Sequence, residues 1–404
     1  LNRTAIEITA EFGGKWARPA GHPDTAVIVH ASAASPGRPA GTVISSPGGW
    51  YDAGDYNKYI VNSSITNYTL LLFYQMFPEY CRSLNLSIPE SGNDIPDLVD
   101  ELLWNLRWYL TMQDPADGGV YHKLTNLNFC GFVMPHEATD PRYVVMKSTA
   151  ATLDFAAFTA MAHRIFANDP SEELRTLAAT CLEASGKAMK WAGVHPDVIY
   201  KQPADVSTGA YGDDNISDEL FWARAERALA TGSVPDQGFL DGVAAVTPTW
   251  NQSAMLGLIS LALSGDEVFA PLRDAAGEMI IGYADALLLT AYRDRKPVGR
   301  IMGIINRRYN EINHENHGRF CFMECYNDPD VFHALISHIE QWAKQNGMSR
   351  LVGPLGFSDK DPQGFQIEGF QYPLFITAAN NSPYMAELIE NEGYAKKIDL
   401  VNYL

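Results

Sequence analysis

The stretch SSPGGWYDAGDYNKY, residues 45–59, places two aspartates three positions apart among glycine and aromatic residues. Asp52 and Asp55 precede a long run with helical periodicity, and aspartate favours both turns and the position before a helix. The pair also permits a chemical interpretation, in which one carboxylate accepts a proton from a water molecule and the other orients that water. The flanking glycines would allow the backbone to approach a substrate closely. Both interpretations are open at this level.

Composition narrows the class of protein. The chain has 404 residues, of which 46% are hydrophobic and 19% charged, as in a globular protein with a substantial core. Its net charge of -18 repels phosphate backbones, and it has no basic stripe with interleaved aromatic residues, so nucleic acid is not expected as a partner. Because no run approaches the roughly 18 apolar residues of a membrane helix, we expect no membrane span.

The cysteines and the N-terminal residues do little to narrow the class of protein further. The five cysteines are widely spaced, which predicts neither a disulfide framework nor a zinc site. The sequence opens at Leu1 without a signal-peptide pattern, as expected of an intracellular or a processed chain. Asp213, Asp214 and Asn215 offer oxygen ligands in a loop, where a calcium ion and a solvated turn are alternative interpretations.

Helical periodicity dominates the sequence up to about residue 288. Such helices, joined by loops of unequal length, are typical of an array of helical hairpins, and closure into a toroid would gather the long loops at one end. We therefore expect a mainly α domain. The predicted helices are Tyr56–Tyr80, Ile95–Gln113, Ser148–Phe166, Ser171–Ala192, Ser217–Ala230, Thr249–Leu263 and Glu267 to about Leu288.

The texture changes to α+β near residue 290. Three longer strands, two helices and three short strands are predicted there, and no linker rich in glycine, serine or proline separates the two parts. The expected domains are therefore 1–288 and 289–404. The predicted elements are strands Ala286–Tyr292, Val298–Asn306, Arg319–Tyr326, Arg350–Gly353, Gln366–Phe370 and Leu400–Tyr403, and helices Asp330–Asn346 and Pro383–Glu392.

The opening stretch resembles the signature of glycoside hydrolase family 9, G-G-W-x-D-A-G-D-x-x-K-Y, which residues 48–59 match at every specified position. The resemblance extends in order over roughly residues 1–288. Further similar segments are Pro89–Glu101, Trp104–Asp114, Gly118–Lys123, Asp218–Ala223 and Thr249–Asn251.

This resemblance implies an (α/α)6 toroid that hydrolyses β-1,4-linked glucans with inversion. It also implies that the protein is secreted or periplasmic. It places the general base at Asp55, with Asp52 helping to hold the water. His122 is a candidate for the cleavage subsite, or alternatively a packed loop residue. Flat aromatic rings bind sugar faces, although tryptophans in helical segments are often core residues. The candidate sugar-binding aromatic residues are Trp50, Tyr51, Trp222 and Trp250.

The general acid has no counterpart in this sequence. The family takes it from a late N-E-V-A-x-N-x-N segment preceded by an H-x-R loop, and neither pattern occurs here. Helical segments also fall short of the twelve that a complete toroid requires, so the toroid is expected to be partial. A carbohydrate-binding protein without catalysis and a chimeric sequence are the alternatives to an active glucanase.

Residues 289–404 resemble part of a GNAT-like acetyltransferase domain. The resemblance rests on Ala291–Ile301, Ile305–Glu311, Arg350–Ser358, Glu368–Phe370 and Asn381–Met385. That superfamily binds acetyl-CoA through an R/Q-x-x-G-x-G/A loop between a strand and a helix, where backbone N–H groups hold the pyrophosphate. Only Asn327-Asp328-Pro329 stands at that place here. An acyltransferase is thus a further alternative, but acetyl-CoA is not expected as a cofactor.

Overall fold

The chain forms two compact units, Leu1–Gly277 and Glu278–Leu404. The computed structural model describes residues 3–236, 238–283, 285–294, 296–357, 361, 363–371 and 379–398. The division falls ahead of the expected boundary at residue 288. The division lies within the helical segment predicted from Glu267 to about Leu288, which in the structure ends at Tyr283, before a strand that begins at Asp285. The strand predicted at Leu400–Tyr403 lies outside the described residues.

Unit 1 is mainly α, as the periodicity predicted. The long predicted helices begin and end within a few residues of their expected bounds; Ser148 and Ser171, for example, accept hydrogen bonds from backbone N–H groups at the starts of two of them. Short 3-10 turns occur at Gly14–Trp16, Ala31–Ala33 and Glu267–Phe269. The helices are α1 (Ala10–Gly13), α2 (Ile60–Met76), α3 (Pro78–Ser83), α4 (Asp97–Thr111), α5 (Thr149–Phe166), α6 (Glu172–Val194), α7 (Ser217–Thr231), α8 (Ala254–Ala262) and α9 (Ala270–Tyr283), the last of which contains the unit boundary.

Helix α5 is the centre of the core. It packs against α2, α6 and α7, and nearly all of its residues are buried. Tyr109 of α4 stacks on Phe155 with ring centroids 6.2 Å apart and meets Phe158 edge-on at 5.3 Å. A helix that is apolar all round must be covered on all sides. The sequence of α5 thus explains why other helices surround it.

A small sheet, which the sequence did not predict, links the loops at one end of unit 1. Its strands have only two or three residues, too few to show an alternating pattern. In the order β2-β1-β5-β4-β3, only the β1–β5 pair is parallel. Tyr59 of β3 pairs with Lys123 of β4, which joins the end of the signature to a segment far along the chain. The strands are β1 (Val27–Val29), β2 (Val43–Ile44), β3 (Lys58–Tyr59), β4 (Lys123–Thr125) and β5 (Tyr143–Val144).

Unit 2 has the α+β composition that its sequence predicted. Strands β6, β7 and β8 are antiparallel neighbours, and β9 lies parallel to β8. Helix α11 connects β8 to β9 and packs on the sheet through Phe332, Leu335 and Ile339. The elements are β6 (Asp285–Arg293), β7 (Lys296–Ile305), α10 (Arg307–Asn313), β8 (His317–Cys325), α11 (Pro329–Gln345), β9 (Arg350–Val352) and α12 (Tyr384–Asn391).

The strand predicted at Gln366–Phe370 is absent from the described structure, where this segment is irregular. Its backbone finds a side-chain partner instead of a neighbouring strand. Gln366 N donates to Asn381 Oδ1 at 2.6 Å, and Asn381 Nδ2 donates to Gln366 O at 3.2 Å. The asparagine amide satisfies the peptide groups that a sheet would otherwise have paired.

Among the described residues no helix is long and apolar enough to cross a membrane.

Candidate active site

The signature loop lies tightly against helix α4. Gly48 and Gly49 adopt positive φ angles of 78° and 88°. A Cβ atom at Gly49 would come within 2.8 Å of the Trp108 ring and 2.9 Å of the Lys58 side chain. Glycine is therefore required here both for the backbone conformation and for the close approach. The arrangement accounts for the Gly-Gly pair that precedes the aspartates.

A buried ion network anchors both ends of this loop. Asp24 contacts Lys58 Nζ at 2.8 Å and Arg142 Nε at 3.1 Å. Lys58 Nζ donates to Gly48 O at 2.7 Å, and Arg142 donates to Tyr56 O at 2.6 Å. Burial lowers the pKa of Lys58 to about 8, although Asp24 opposes that shift. Lys58 and Arg142 also bind backbone carbonyl groups, one before and one after the aspartate pair. The network therefore holds both ends of the loop in place.

Asp55 is half-buried and accepts one hydrogen bond on each oxygen. Asn57 N donates to Oδ1 at 2.7 Å, and the Tyr59 hydroxyl donates to Oδ2 at 3.0 Å. Burial and the charge of Asp52 raise the pKa of Asp55, outweighing these two hydrogen bonds, which lower it. Each oxygen keeps a further lone pair. The carboxylate is thus a stronger base than an ordinary aspartate and can accept a proton from water.

Asp52 is held by two donors, one 10 positions away in the sequence and the other 159 positions away. Asn62 Nδ2 donates to Oδ1 and the Tyr211 hydroxyl donates to Oδ2, each at 2.7 Å. The Tyr211 ring meets that of Tyr59 edge-on, with centroids 4.7 Å apart, and that of Trp250 at 5.4 Å. The two aspartates are therefore connected through a pair of touching tyrosines, with Trp250 on the far side.

Gly209 permits this contact between tyrosines. A Cβ atom at this position would come within 3.1 Å of both the Tyr211 ring and the Tyr59 hydroxyl. Such a distance is shorter than an ordinary van der Waals contact, so a side chain here would displace one of the rings. The glycine thus contributes to the position of both carboxylates.

His122 is buried behind the site and orients the loop that carries Tyr211. Its ring stacks on Tyr200 with centroids 3.8 Å apart. Nε2 lies 2.8 Å from Ala210 O and Nδ1 lies 2.8 Å from Ser148 Oγ. Since a carbonyl only accepts, the proton must be on Nε2, and the serine hydroxyl donates to Nδ1. Burial lowers the pKa of His122 to about 3, so the ring is neutral.

Lys123 is a second anchor of that loop. Its Nζ donates to Gly209 O at 2.5 Å, Thr208 Oγ1 at 3.0 Å and Gln202 Oε1 at 3.2 Å. Burial lowers the pKa of Lys123 to about 8, and the negative charge of Asp55 acts in the opposite direction. The sequence analysis did not identify Lys123 or Tyr211 as site residues. For Lys123 the signals were its place directly after His122 and its position at the end of the similar segment Gly118–Lys123.

The chain matches the profile of a known protein family. The profile of Glycosyl hydrolase family 9 matches residues 6–275, which is about two thirds of the chain. This chain belongs to glycosyl hydrolase family 9.

Relatives of the family 9 unit include proteins named as glucanases. The chain is 44% identical over 300 residues to the Xyloglucan-specific endo-beta-1,4-glucanase BoGH9A of Bacteroides ovatus, covering 71% of this chain and 51% of that protein. It is 42% identical over 180 residues to Endoglucanase D of Acetivibrio thermocellus, covering 44% of this chain and 28% of that protein. The solved structure "Bacteroides ovatus GH9" has a TM-score of 0.65 at 43% identity, covering 70% of this chain and 54% of that one. The match thus spans about half the length of BoGH9A and 28% of Endoglucanase D.

The aromatic residues expected to bind sugar occupy different environments in the family 9 unit. Trp250 is half-buried against Tyr211, next to the aspartate pair. Trp50 is half-buried against the core. Trp222 is fully buried and meets Tyr68 edge-on at 5.7 Å. Tyr51 is also buried, with its hydroxyl 2.9 Å from His22 Nδ1. The structure therefore brings Trp250 to the site and places Trp222 and Tyr51 in the interior.

In the loop proposed to bind calcium, one carboxylate oxygen of Asp213 makes the hydrogen bond of a turn. Asp213 Oδ1 accepts a hydrogen bond from Asn215 N at 2.9 Å, and the Asp213 carboxylate also interacts with the side chain of Glu219. Among the described residues, no group of three or more His, Cys, Asp or Glu side chains is arranged to hold a metal ion. Calcium binding at Asp213, Asp214 and Asn215 stays a prediction.

Glu219 of α7 is a buried acid outside the aspartate pair. Its side chain has no exposed surface, and neither carboxyl oxygen has a hydrogen-bond donor. Burial, followed by the charges of Asp154, Asp218 and Asp213, raises the pKa of Glu219 well above its ordinary value. The group is therefore protonated at neutral pH and contributes no charge to the core.

Proposed function

We propose that unit 1 carries the general-base side of an inverting site for β-1,4-linked glucans, with Asp55 as the base and Asp52 as its partner. The observation that carries this proposal is the paired hydrogen bonding of the two carboxylates by Tyr59 and Tyr211. Both acids are half-buried, both are fixed in direction, and each keeps lone pairs for a water molecule. Membership of family 9 supports the same assignment.

In the proposed reaction a water molecule attacks the anomeric carbon from the face opposite the leaving sugar. Asp55 takes the proton of that water while Asp52 accepts its second hydrogen bond, and the new C–O bond forms as the glycosidic C–O bond breaks. The leaving oxygen needs a proton from a general acid on the other side of the sugar. No residue of this chain is assigned to that role. The base chemistry itself requires no cofactor.

The proposed substrate is a β-1,4-linked glucan polysaccharide or oligosaccharide. Relatives named as a xyloglucan-specific endoglucanase and as an endoglucanase support this class. Polysaccharides do not cross membranes, so the proposed location is the periplasm or the cell exterior. Detection of the protein in the periplasmic or culture fraction of its source organism would test the location, and recovery only from the cytoplasm would contradict it.

The activity test uses the whole purified chain with soluble β-glucan. We expect release of reducing sugar, loss of that release in Asp55→Ala, and retention in Asp197→Ala, which changes an exposed aspartate elsewhere in unit 1. Absence of release at every pH, combined with binding to the polysaccharide, would instead support the alternative, a carbohydrate-binding protein that lacks catalysis.

We propose that unit 2 is a GNAT-like packing or binding module that does not bind acetyl-CoA. The N-terminus of α11, where a pyrophosphate would bind, is occupied by the chain's own carboxylate. Asp328 Oδ1 accepts from Asp330 N at 3.1 Å and Val331 N at 3.3 Å, and Pro329 has no N–H to offer. A carboxylate at a helix N-terminus uses its donors and repels phosphate.

Calorimetry with acetyl-CoA tests this second proposal on the full chain. No heat of binding is expected for the unmodified protein. Saturable binding that is lost on deletion of residues 294–404 would contradict the proposal and favour an acyltransferase.

A further inference from the structure

A segment beside the aspartate pair exposes an unusual amount of apolar surface. We call residues 129–134 the aromatic loop. Phe132 is fully exposed, and three of its five neighbours in the loop also expose large apolar side chains. Contiguous exposed apolar surface on a protein commonly marks a binding site. These neighbours are Phe129, Val133 and Met134.

The aromatic loop is pinned in place. Val133 N donates to Gly131 O at 2.8 Å, which closes a three-residue turn with Phe132 at its centre. The Tyr56 hydroxyl donates to Val133 O at 2.5 Å, and Met134 N donates to Glu137 Oε2 at 2.9 Å. Phe132 therefore projects from a turn that is hydrogen-bonded on its C-terminal side. A side chain presented in this way loses little backbone freedom when it binds a ligand.

The loop borders the proposed catalytic aspartates. Tyr56, which binds Val133 O, is the residue directly after Asp55. Burial raises the pKa of Cys130 in the loop, and the negative charge of Asp55 adds to that shift. The hydrogen bond from Tyr56 places the aromatic loop beside the segment that carries Asp55, within unit 1. A sugar chain that meets Asp55 would therefore pass close to this surface.

We infer that Phe132 is a stacking platform for a glucose ring of a β-1,4-glucan at a subsite beside Asp55. In β-linked glucose the hydroxyl groups are equatorial, so the two ring faces present C–H groups, and these pack on an aromatic face. The neutral polysaccharide matches a loop whose own six residues include no charged side chain. This inference rests on the proposed function, because it assumes that a glucan reaches the aspartate pair.

The test measures binding in a chain without hydrolysis. In the Asp55→Asn background, calorimetry with cellohexaose is compared for the unmodified loop, Phe132→Ala, Phe132→Trp and a control, Tyr80→Ala. Tyr80 is an exposed aromatic residue of α3, outside the aromatic loop. Loss of a stacking ring is expected to weaken binding about two- to tenfold in Phe132→Ala. Phe132→Trp should restore it, and Tyr80→Ala should bind as the background does.

Each outcome tests the stacking role of Phe132, and together the outcomes separate that role from the proposed function. Equal affinity of Phe132→Ala and the background overturns the inference and leaves the proposed function standing. Absence of cellohexaose binding in every variant overturns both. If gel filtration shows a dimer that Phe132→Ala converts to a monomer, the loop is a contact between copies of the chain, and the inference is overturned as well.

Discussion

Tyr211 donates a hydrogen bond to Asp52 over 2.7 Å although 159 positions separate the two residues. The contact depends on the loop between α6 and α7. His122 and Lys123 hold this loop in place through hydrogen bonds to its backbone carbonyl groups. The ring of Tyr211 also touches that of Tyr59, the donor to Asp55. One long-range contact thus fixes the relative position of both carboxylates.

Tyr211→Phe removes the donor to Asp52 and keeps the ring that packs on Tyr59. A hydrogen bond to a charged group contributes about 1.5–3 kcal/mol, so kcat on soluble β-glucan should fall roughly tenfold or more. KM should change little, because Asp52 orients water rather than sugar. Steady-state kinetics beside Tyr80→Phe, an exposed control, measure this split. An unchanged kcat would show that Asp52 does not depend on Tyr211.

Tyr59→Phe should move the acid limb of the pH–rate profile. The tyrosine hydroxyl stabilises the charged form of Asp55 and so lowers its pKa; without that donor the pKa, already raised by burial, rises further. The base is active when deprotonated. The pH at half-maximal kcat/KM on the acid side should therefore shift upward. A shift to lower pH would contradict the role of Asp55 as the base.

Lys58→Met should destabilise unit 1 strongly. The change leaves the buried Asp24 with Arg142 as its cation and leaves the Gly48 carbonyl with Thr4 Oγ1 as its donor. Breaking a buried ion pair on one side costs about 3–5 kcal/mol. Urea unfolding measures the loss. The double variant Asp24→Asn with Lys58→Met should recover part of it, and a double variant no more stable than Lys58→Met alone would argue against coupling.

Glu219→Gln should flatten the pH dependence of stability. Because burial raises the pKa of Glu219 well above its ordinary value in the folded chain, unfolding at neutral pH releases a proton. The free energy of unfolding of the unmodified protein therefore falls as pH rises, by up to about 1.4 kcal/mol per pH unit for one proton. Glutamine holds no titratable proton. Denaturant unfolding at pH 5 and pH 8 should show the variant relatively more stable at pH 8; parallel slopes would contradict this.

The sequence predicted the long helices because their apolar residues recur over several turns, whereas it did not predict the short helices α1 and α10. It located the aspartate loop because Gly48–Tyr59 is local and distinctive. The small sheet escaped prediction, since strands of two or three residues show no alternation. Tyr211 and Lys123 also escaped, because their roles arise from tertiary contacts between distant loops. Trp222 was ambiguous for a related reason: a tryptophan in a helical segment has the same pattern whether it faces a groove or the core.

The central claim, that Asp55 is a general base, can be tested apart from the unassigned acid. Fluoride leaves a sugar without needing a proton, so β-cellobiosyl fluoride requires only the base side of an inverting site. We predict hydrolysis by the full chain, with α-cellobiose as the first product by NMR, and its loss in Asp55→Asn but not in Asp197→Asn. Hydrolysis that persists in Asp55→Asn, or a first product with the β configuration, would contradict the account.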